Sequence, residues 1–281
     1  MDAICRLPAP HLNARRFGAR SLPALTDDAL FETVGVRVAF TGREGGVSAS
    51  PFASLNLGDH VGDDARAVDR NRALLLEALG ADRLPLVVPS QVHGDAVVDV
   101  GDAAPEVVEA ARAQARAGAD AVAVAVPGVA ALLCFADCLP VVIVSPTGRF
   151  AVVHAGWRGV VGGIATKVVR LMAERDAEEV GERAEGGFNV YVGPHICSRC
   201  FETGEDVRAR FVERFGEAVC PDERHIDLFD ALRRDLLDVG IVSERIVHAS
   251  ACTKCESEKY YSFRAEGGVC GRHGAVAFRE V

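Results

Sequence analysis

The sequence predicts a single α/β domain in which strands and helices follow a mixed rather than a strictly alternating order. Three observations carry that expectation. The chain has 281 residues, enough to bury a full core. Apolar runs rich in β-branched residues, bounded by turn residues, are interspersed with segments whose apolar residues recur at helical spacing. No internal repeat or low-complexity tract interrupts the pattern.

Residues 1–30 read as a loosely structured N-terminal extension and residues 31–281 as the domain. VGVRVAFTGREGGVS suggests a strand running into a glycine-rich loop. DDARAVDRNRALLLEALGAD reads as a helix, capped by Asp63 or Asp64 and ended by Gly80. LPLVVPSQVHGDAVVDV gives two short strands flanking Gln91 to Gly94, and EVVEAARAQARAGAD suits either a helix or a linker. DAVAVAVPGVAALLCFADCLPVVIVSP reads as buried strands with a Pro127-Gly128 turn, and FAVVHAGW closes a hairpin across SPTGR. After Gly159, the spacing of Val160, Ile164, Val168, Leu171 and Met172 predicts an amphipathic helix to about Glu179. FNVYVGP, RIVHAS and GAVAFREV are further strands, and GEDVRARFVERFG and LFDALRRDLLDVG are helices.

Composition narrows the classes of function. An apolar fraction of 49% and a charged fraction of 25% are those of an ordinary soluble protein. The net charge of −9 leaves no basic surplus to displace counterions from phosphates, so no nucleic-acid partner is expected. The N-terminus lacks the apolar core of a signal peptide, and the longest apolar runs are far shorter than a bilayer span. No membrane association is expected, and the cytoplasm is the expected compartment. Nine cysteines, an odd number, exclude a complete set of intrachain disulfides. In a reducing compartment such residues serve as core, metal ligands or nucleophiles.

Four segments end a strand in a polar or glycine-rich exit that carries a reactive side chain: SQVHG (His93), ADC (Cys138), HAGWRG (His154) and VGPHIC (His195). Rigid strands with variable exit loops are where sheet proteins place chemistry. Imidazole and thiolate suit a zinc-like ion, and three protein ligands leave a fourth position open. His93, Cys138 and His154 are widely spaced, unlike the short spacings of most structural zinc sites. In HAGWRG the glycines admit close backbone approach, and a helix start near Gly159 with Arg158 suggests an anion pocket.

EGGVS (44–48), SLNLG (54–58), QVHG (91–94), ADCLP (136–140), HAGWRG (154–159), VGP-x-I (192–196), CT (252–253) and SFR (262–264) together resemble the YfiH-like laccase-domain family. The likeness runs over roughly residues 36–279. It implies a layered α/β/β/α domain with mixed sheets and one zinc site held by His93, Cys138 and His154, with copper an alternative ion. It also implies phosphorolysis of adenosine, inosine, guanosine and methylthioadenosine, with inorganic phosphate as co-substrate, and deamination of adenosine. Two departures stand out. SFRA replaces the family's SYRR, removing a phenol at Phe263 and a guanidinium at Ala265, and Cys197 replaces a glycine.

On this reading Arg43 and the HAGWRG helix start, with Arg158, hold phosphate, while Gln91 and Asn56 either bind substrate or tie down their own loops. Asp137 and Glu44 are candidates for proton transfer or for structure. A second reading is a thiol hydrolase, with Cys138 as nucleophile and His154 as base, of the kind that edits peptidoglycan precursors. A copper polyphenol oxidase is a third; none of the eight histidines forms the H-x-H pairs of multicopper clusters. The two C-x-x-C pairs, Cys197/Cys200 and Cys252/Cys255, read mainly as packed thiols, with a structural zinc site or a redox motif as alternatives. Trp157 reads as packing or base stacking, and His195 as pocket or surface. His60, His225, His248 and His273 are expected in solvent.

Overall fold

Every residue from Ala130 to Phe135, from Leu139 to Val144 and from Phe150 to Ala155 is buried. The polar alternation of a one-sided sheet is missing because both faces of these strands are covered. A computed structural model describes residues 6–181 and 185–281. In chain order its elements are β1 (Asn13–Phe17), β2 (Leu22–Thr26), α1 (Asp28–Val34), β3 (Val36–Thr41), α2 (Ala65–Leu79), β4 (Leu86–Val87) and β5 (Val97–Val100). There follow α3 (Pro105–Ala117), β6 (Ala121–Val124), β7 (Ala130–Phe135), β8 (Leu139–Val144), β9 (Phe150–Ala155), α4 (Trp157–Gly162) and α5 (Ile164–Val180). The chain ends with β10 (Asn189–Val192), α6 (Glu205–Phe215), α7 (Leu228–Asp238), β11 (Ile246–His248) and β12 (His273–Arg279).

Two six-stranded mixed sheets result, in the orders β1-β2-β3-β12-β7-β4 and β11-β10-β8-β9-β6-β5. Side-chain parity builds the layers. Phe150 and Val152 of β9, with Val142 and Val144 of β8, meet Ala131, Leu133 and Phe135 of β7 between the sheets. Ala151 and Val153, with Val141 and Ile143, face Val168 and Met172 of α5 and Leu232 and Leu236 of α7. On the far side, Leu132, Val276 and Phe278 pack against Leu75 and Leu76 of α2. The order is therefore α/β/β/α, as the family resemblance implies. His154 shares the parity of Phe150 and Val152. Its ring accordingly turns toward the space between the sheets, where its centroid lies 5.5 Å from that of Phe135.

Local signals account for most boundaries. Asp64 accepts a hydrogen bond from the Arg66 amide at the start of α2, and Gly80 ends that helix at φ 75°. The alanine-rich segment forms α3, with Pro105 in its first turn. The helix expected after Gly159 starts earlier, at Trp157, and is divided at Gly163 (φ 74°) into α4 and α5. The expected loose extension is corrected over 13–30, where the chain is regular structure that continues into the domain; residues 1–5 lie outside the described residues. There β1 and β2 form a hairpin that extends the first sheet, Leu25 pairing with Phe40 of β3, and buried Asp27 caps α1. Leu22, Ala24 and Thr26 are buried at alternate positions, the signal of a one-sided strand hidden among arginines. No helix among the described residues is long and apolar enough to cross a membrane.

Candidate metal centre

The β8–β9 hairpin reverses through Ser145–Arg149, where the Ser145 amide donates to the Arg149 carbonyl at 2.9 Å. Its register pairs Leu139 with Ala155 and Pro140 with His154. Cys138 therefore enters the hairpin at the end where His154 leaves it. His93 comes from the loop between β4 and β5, which belong to different sheets, and stands at φ 58°, in the left-handed region few non-glycine residues occupy. One ligand atom from each of His93, Cys138 and His154 lies within 4.8 Å of the other two.

A residue without an evident sequence signal holds this arrangement. Asp120, wholly buried just before β6, accepts from His154 Nδ1 at 2.8 Å and from the amides of His93 at 3.0 Å and Gly94 at 2.6 Å. The Val92 amide also donates to it, at 3.3 Å. Burial works against its charge, but the His154 ring and these amides prevail and hold its carboxyl below the usual range. An ionised Asp120 holds a proton on Nδ1, so Nε2 is the nitrogen of His154 that would take an ion in exchange for its own proton. The same carboxylate thus orients one imidazole and the loop that carries the other. Gln91 secures that loop further: its side chain donates to the Cys134 carbonyl and accepts from the Cys134 amide, both at 2.8 Å.

The electrostatics favour a thiolate. Burial alone would raise the Cys138 thiol; the His154 and His93 rings outweigh it and bring it down to about 6. Burial likewise opposes a charged His154, yet Cys138 and Asp120 push it up to about 9. Gly156 completes the fit. A Cβ there would lie 3.0 Å from His93 Cδ2, 3.4 Å from Cys138 Sγ and 3.5 Å from His154 Cε1. One thiolate and two imidazoles, clear of any side chain at 156, suit a zinc-class ion with three protein ligands. Bond lengths of about 2.0–2.3 Å set such ligand atoms about 3.3–3.8 Å apart around one ion, and the three atoms here lie no more than 4.8 Å apart.

The three ligands line a groove of about 330 Å³, within the range of small-molecule sites. Ile196, Phe201 and Phe263 supply apolar wall; Arg264, Arg272 and His60 supply polar wall. A larger cavity, of about 460 Å³ beside β1 and Lys259, shares no lining residue with this groove.

Several residues expected in the site have other employment. Arg43 does not line the groove. Its guanidinium donates to the carbonyls of Ala53 and Ser257 and to Glu266, and it stacks 4.4 Å from the Tyr261 ring. Asn56 is wholly buried. Its amide donates to the Gly58 carbonyl and Asp63, and its oxygen accepts from the amides of Gly58 and Arg272. Arg158 is exposed, lies outside the groove lining and stacks 4.2 Å from the Trp157 ring, which packs against the helical core. Gln91 does line the groove, although its amide is committed to Cys134. Asp137 (φ 88°) accepts from Thr253 Oγ1, Ser262 Oγ and the Arg264 amide, so it ties loops together, and Glu44 is exposed beside Arg16.

The histidine expectations need correction too. His195 is buried, donates its Nδ1 hydrogen to the Gly193 carbonyl and does not line the groove. Burial also holds His273 out of solvent, stacked on Phe135, and His248 is half-buried against Phe229. His60 is exposed at the groove, and His225 is partly covered beside Asp222. Besides Asp120, sequence reasoning missed Arg272 and the groove position of Phe201. Arg272 stands in CGRHG, and nothing in its spacing tells that its loop returns to the metal ligands.

Two facing mixed sheets between helices, with a His-Cys-His group where their strands open onto a groove, define the class: an α/β/β/α protein in which three side chains are grouped closely enough to hold a metal ion. Residues 37–280 match the family described as "Multi-copper polyphenol oxidoreductase laccase", and the chain belongs to that family. It is 38% identical over 242 residues to the "Purine nucleoside phosphorylase" of Deinococcus radiodurans, covering 85% of this chain and 87% of that protein. It is 36% identical to "Adenosine deaminase RL5" of an unknown prokaryotic organism, covering 86% and 94%. Among solved structures, YlmD from Geobacillus stearothermophilus superposes with a TM-score of 0.81 at 30% identity, covering 95% of this chain and all of that one.

Proposed function

We propose that this chain is a purine nucleoside phosphorylase that also deaminates adenosine, working in the groove above His93, Cys138 and His154. The supporting observation is the convergence of those three side chains at a groove also lined by Phe201 and Phe263, with the guanidinium of Arg264 5.7 Å from the first ring and that of Arg272 5.9 Å from the second. Relatives named purine nucleoside phosphorylase and adenosine deaminase, aligned over most of the chain, favour the same reading.

In phosphorolysis a phosphate oxygen bonds to C1′ of the ribose while the glycosidic bond breaks, and its electron pair leaves with the base, which takes up a proton. The products are free base and ribose 1-phosphate, or methylthioribose 1-phosphate from methylthioadenosine; inosine and guanosine react as adenosine does. The transition state is oxocarbenium-like, so anion positioning matters most. Arg264 and Arg272 line the groove, where Arg43 and Arg158 do not, and this supports assigning phosphate to them; each also donates from one nitrogen to loop carbonyls, Arg264 to Glu202 and Arg272 to Cys270 and Gly271. Phe201, Phe263 and Ile196 offer apolar surface to the purine and exclude water from it. Asp120 keeps the His154 proton on Nδ1, away from the ligand atom. Bound by the two imidazoles and the thiolate, zinc supplies Lewis-acid activation of water for attack at C6 of adenine, and copper suits the same donors. The cytoplasm fits this chemistry and the eight free cysteines among the described residues.

Incubation of adenosine with the purified protein tests the reading. With phosphate, adenine and ribose 1-phosphate form; without it, inosine forms; no product in either case refutes the proposal. H154A loses zinc and both activities together.

A second reading rests on the Cys138–His154–Asp120 line, which has the order of a nucleophile, a base and an orienting carboxylate. It makes the protein a thiol hydrolase able to cleave amides, as peptidoglycan-precursor editing requires. Stoichiometric metal with a Cys138 resistant to iodoacetamide refutes it. Metal-free active protein with a rapidly alkylated Cys138 refutes the first reading instead.

A further inference from the structure

Two C-x-x-C turns about fifty residues apart in sequence meet beside the groove, far longer than a zinc-ribbon spacing. The four sulfurs of Cys197, Cys200, Cys252 and Cys255 all lie within 4.8 Å of one another, and none is in a disulfide. Cys200 Sγ and Cys255 Sγ are 3.5 Å apart, and the Cys197 amide donates to Cys252 Sγ at 3.3 Å. Four thiolates at about 2.3 Å from one tetrahedral ion stand about 3.8 Å apart, close to this spacing. Packed core thiols have no reason to gather as four at a partly exposed rim; only Cys252 is buried.

We propose that Cys197, Cys200, Cys252 and Cys255 bind a second, structural ion of the zinc class, distinct from the one at His93, Cys138 and His154, and that it staples one wall of the groove. The protein contacts around the cluster support the staple. His195 and Cys252 form a short parallel bridge, in which the Thr253 amide donates to the His195 carbonyl at 3.1 Å. Thr253 Oγ1 and the Arg264 amide both donate to Asp137, and the Ile196 amide donates to the Asp137 carbonyl. Ile196 and Phe201 flank the first C-x-x-C turn, and Phe263 and Arg264 follow the second; all four line the groove. An ion held by both turns therefore fixes the aromatic wall and the arginine beside it. Four thiolates on a divalent ion carry a net charge of −2, and exposed Arg199 and Lys254, one inside each turn, lie beside it in sequence. The site contributes no group to the reaction, so it stands whichever reaction the groove performs.

Metal content of the full-length protein, purified under reducing conditions, tests this. Two zinc equivalents per chain are expected for the wild type. The Cys200→Ser/Cys255→Ser double variant and H154A should each retain one. Cobalt substitution separates the sites without reliance on stability: H154A should keep the intense thiolate–cobalt charge-transfer bands of a four-sulfur site, and the double variant should lose most of them. In wild-type protein, the four thiols should resist alkylation until a chelator is added. A metal content that does not fall in the Cys200→Ser/Cys255→Ser variant, all four thiols alkylated in the metal-loaded native protein, or a Cys200–Cys255 disulfide in freshly blocked protein would overturn the proposal.

Discussion

Replacing Asp120 with asparagine probes the candidate metal centre while leaving His93, Cys138 and His154 in place. The carboxylate takes hydrogen bonds from His154 Nδ1 and from the amides of Val92, His93 and Gly94, without solvent exposure. Asparagine keeps the shape but has one acceptor oxygen; its NH2 group faces N–H donors and leaves about two of them unmet. Each buried donor without an acceptor costs about 1–3 kcal/mol, so the 92–94 loop should open more easily by roughly 2–6 kcal/mol. The His154 ring also loses the negative charge of the partner that holds its proton on Nδ1. Disturbing such a partner lowers metal affinity by about 10–100-fold, and loosening His93 as well places D120N near the upper end of that range. Competition with a chromogenic chelator measures the affinity, and hydrogen exchange at Val92 to Gly94 measures the opening. Metal affinity within twofold of wild type would refute the claim that Asp120 organises both imidazoles.

Four further outcomes are expected. Gly156→Ala has an ordinary backbone conformation to occupy (φ −67°), so its added methyl should leave the melting temperature nearly unchanged. It presses on His93 and should weaken metal binding about tenfold or more, a change the same chelator competition reads. Arg264→Gln should raise the KM for phosphate about tenfold while sparing phosphate-independent deamination, because a lost charged hydrogen bond is worth about 1.5–3 kcal/mol; equal loss of both activities would assign Arg264 to the fold. Burial holds His195 down at about 4 and His273 at about 3 in the folded chain, so the unfolded chain takes up their protons first as pH falls. Their contribution to stability is complete above about 6.5 and declines below it, which urea unfolding at pH 7, 6 and 5 should record as a falling midpoint. His273→Phe should flatten that decline, since the ring stacks on Phe135 and its nitrogens make no hydrogen bond.

The secondary structure was largely legible because its signals are local. Asp64 and Gly80 bracket α2 by capping and left-handed backbone, and the β-branched runs from Ala121 to Ala155 are buried strands. The β1–β2 hairpin escaped notice because β1 exposes Ala14, Arg15 and Arg16 and only alternate positions of β2 are buried. The split at Gly163 escaped for the opposite reason. Apolar spacing continues through it, and only the glycine's positive φ marks the break. Motif grammar singled out His93, Cys138 and His154, and the fold groups their side chains. It misjudged Arg43, Asn56 and Arg158, whose polar groups are as well suited to tying loops as to binding substrate.

Taken alone, the sequence determined the strands, most helices and the side chains able to ligate a metal, since turn chemistry, periodicity and residue type act within a few positions along the chain. Tertiary structure alone decided which of those side chains meet. Asp120 became the anchor of the site because β6 lies beside β9 in the second sheet, and Arg264 and Arg272 reached the groove because the loop before β12 folds back over Asp137. Four cysteines from two distant turns came together by the same route. Such meetings depend on sheet order and register over long separations, for which no local spacing in the chain carries a record.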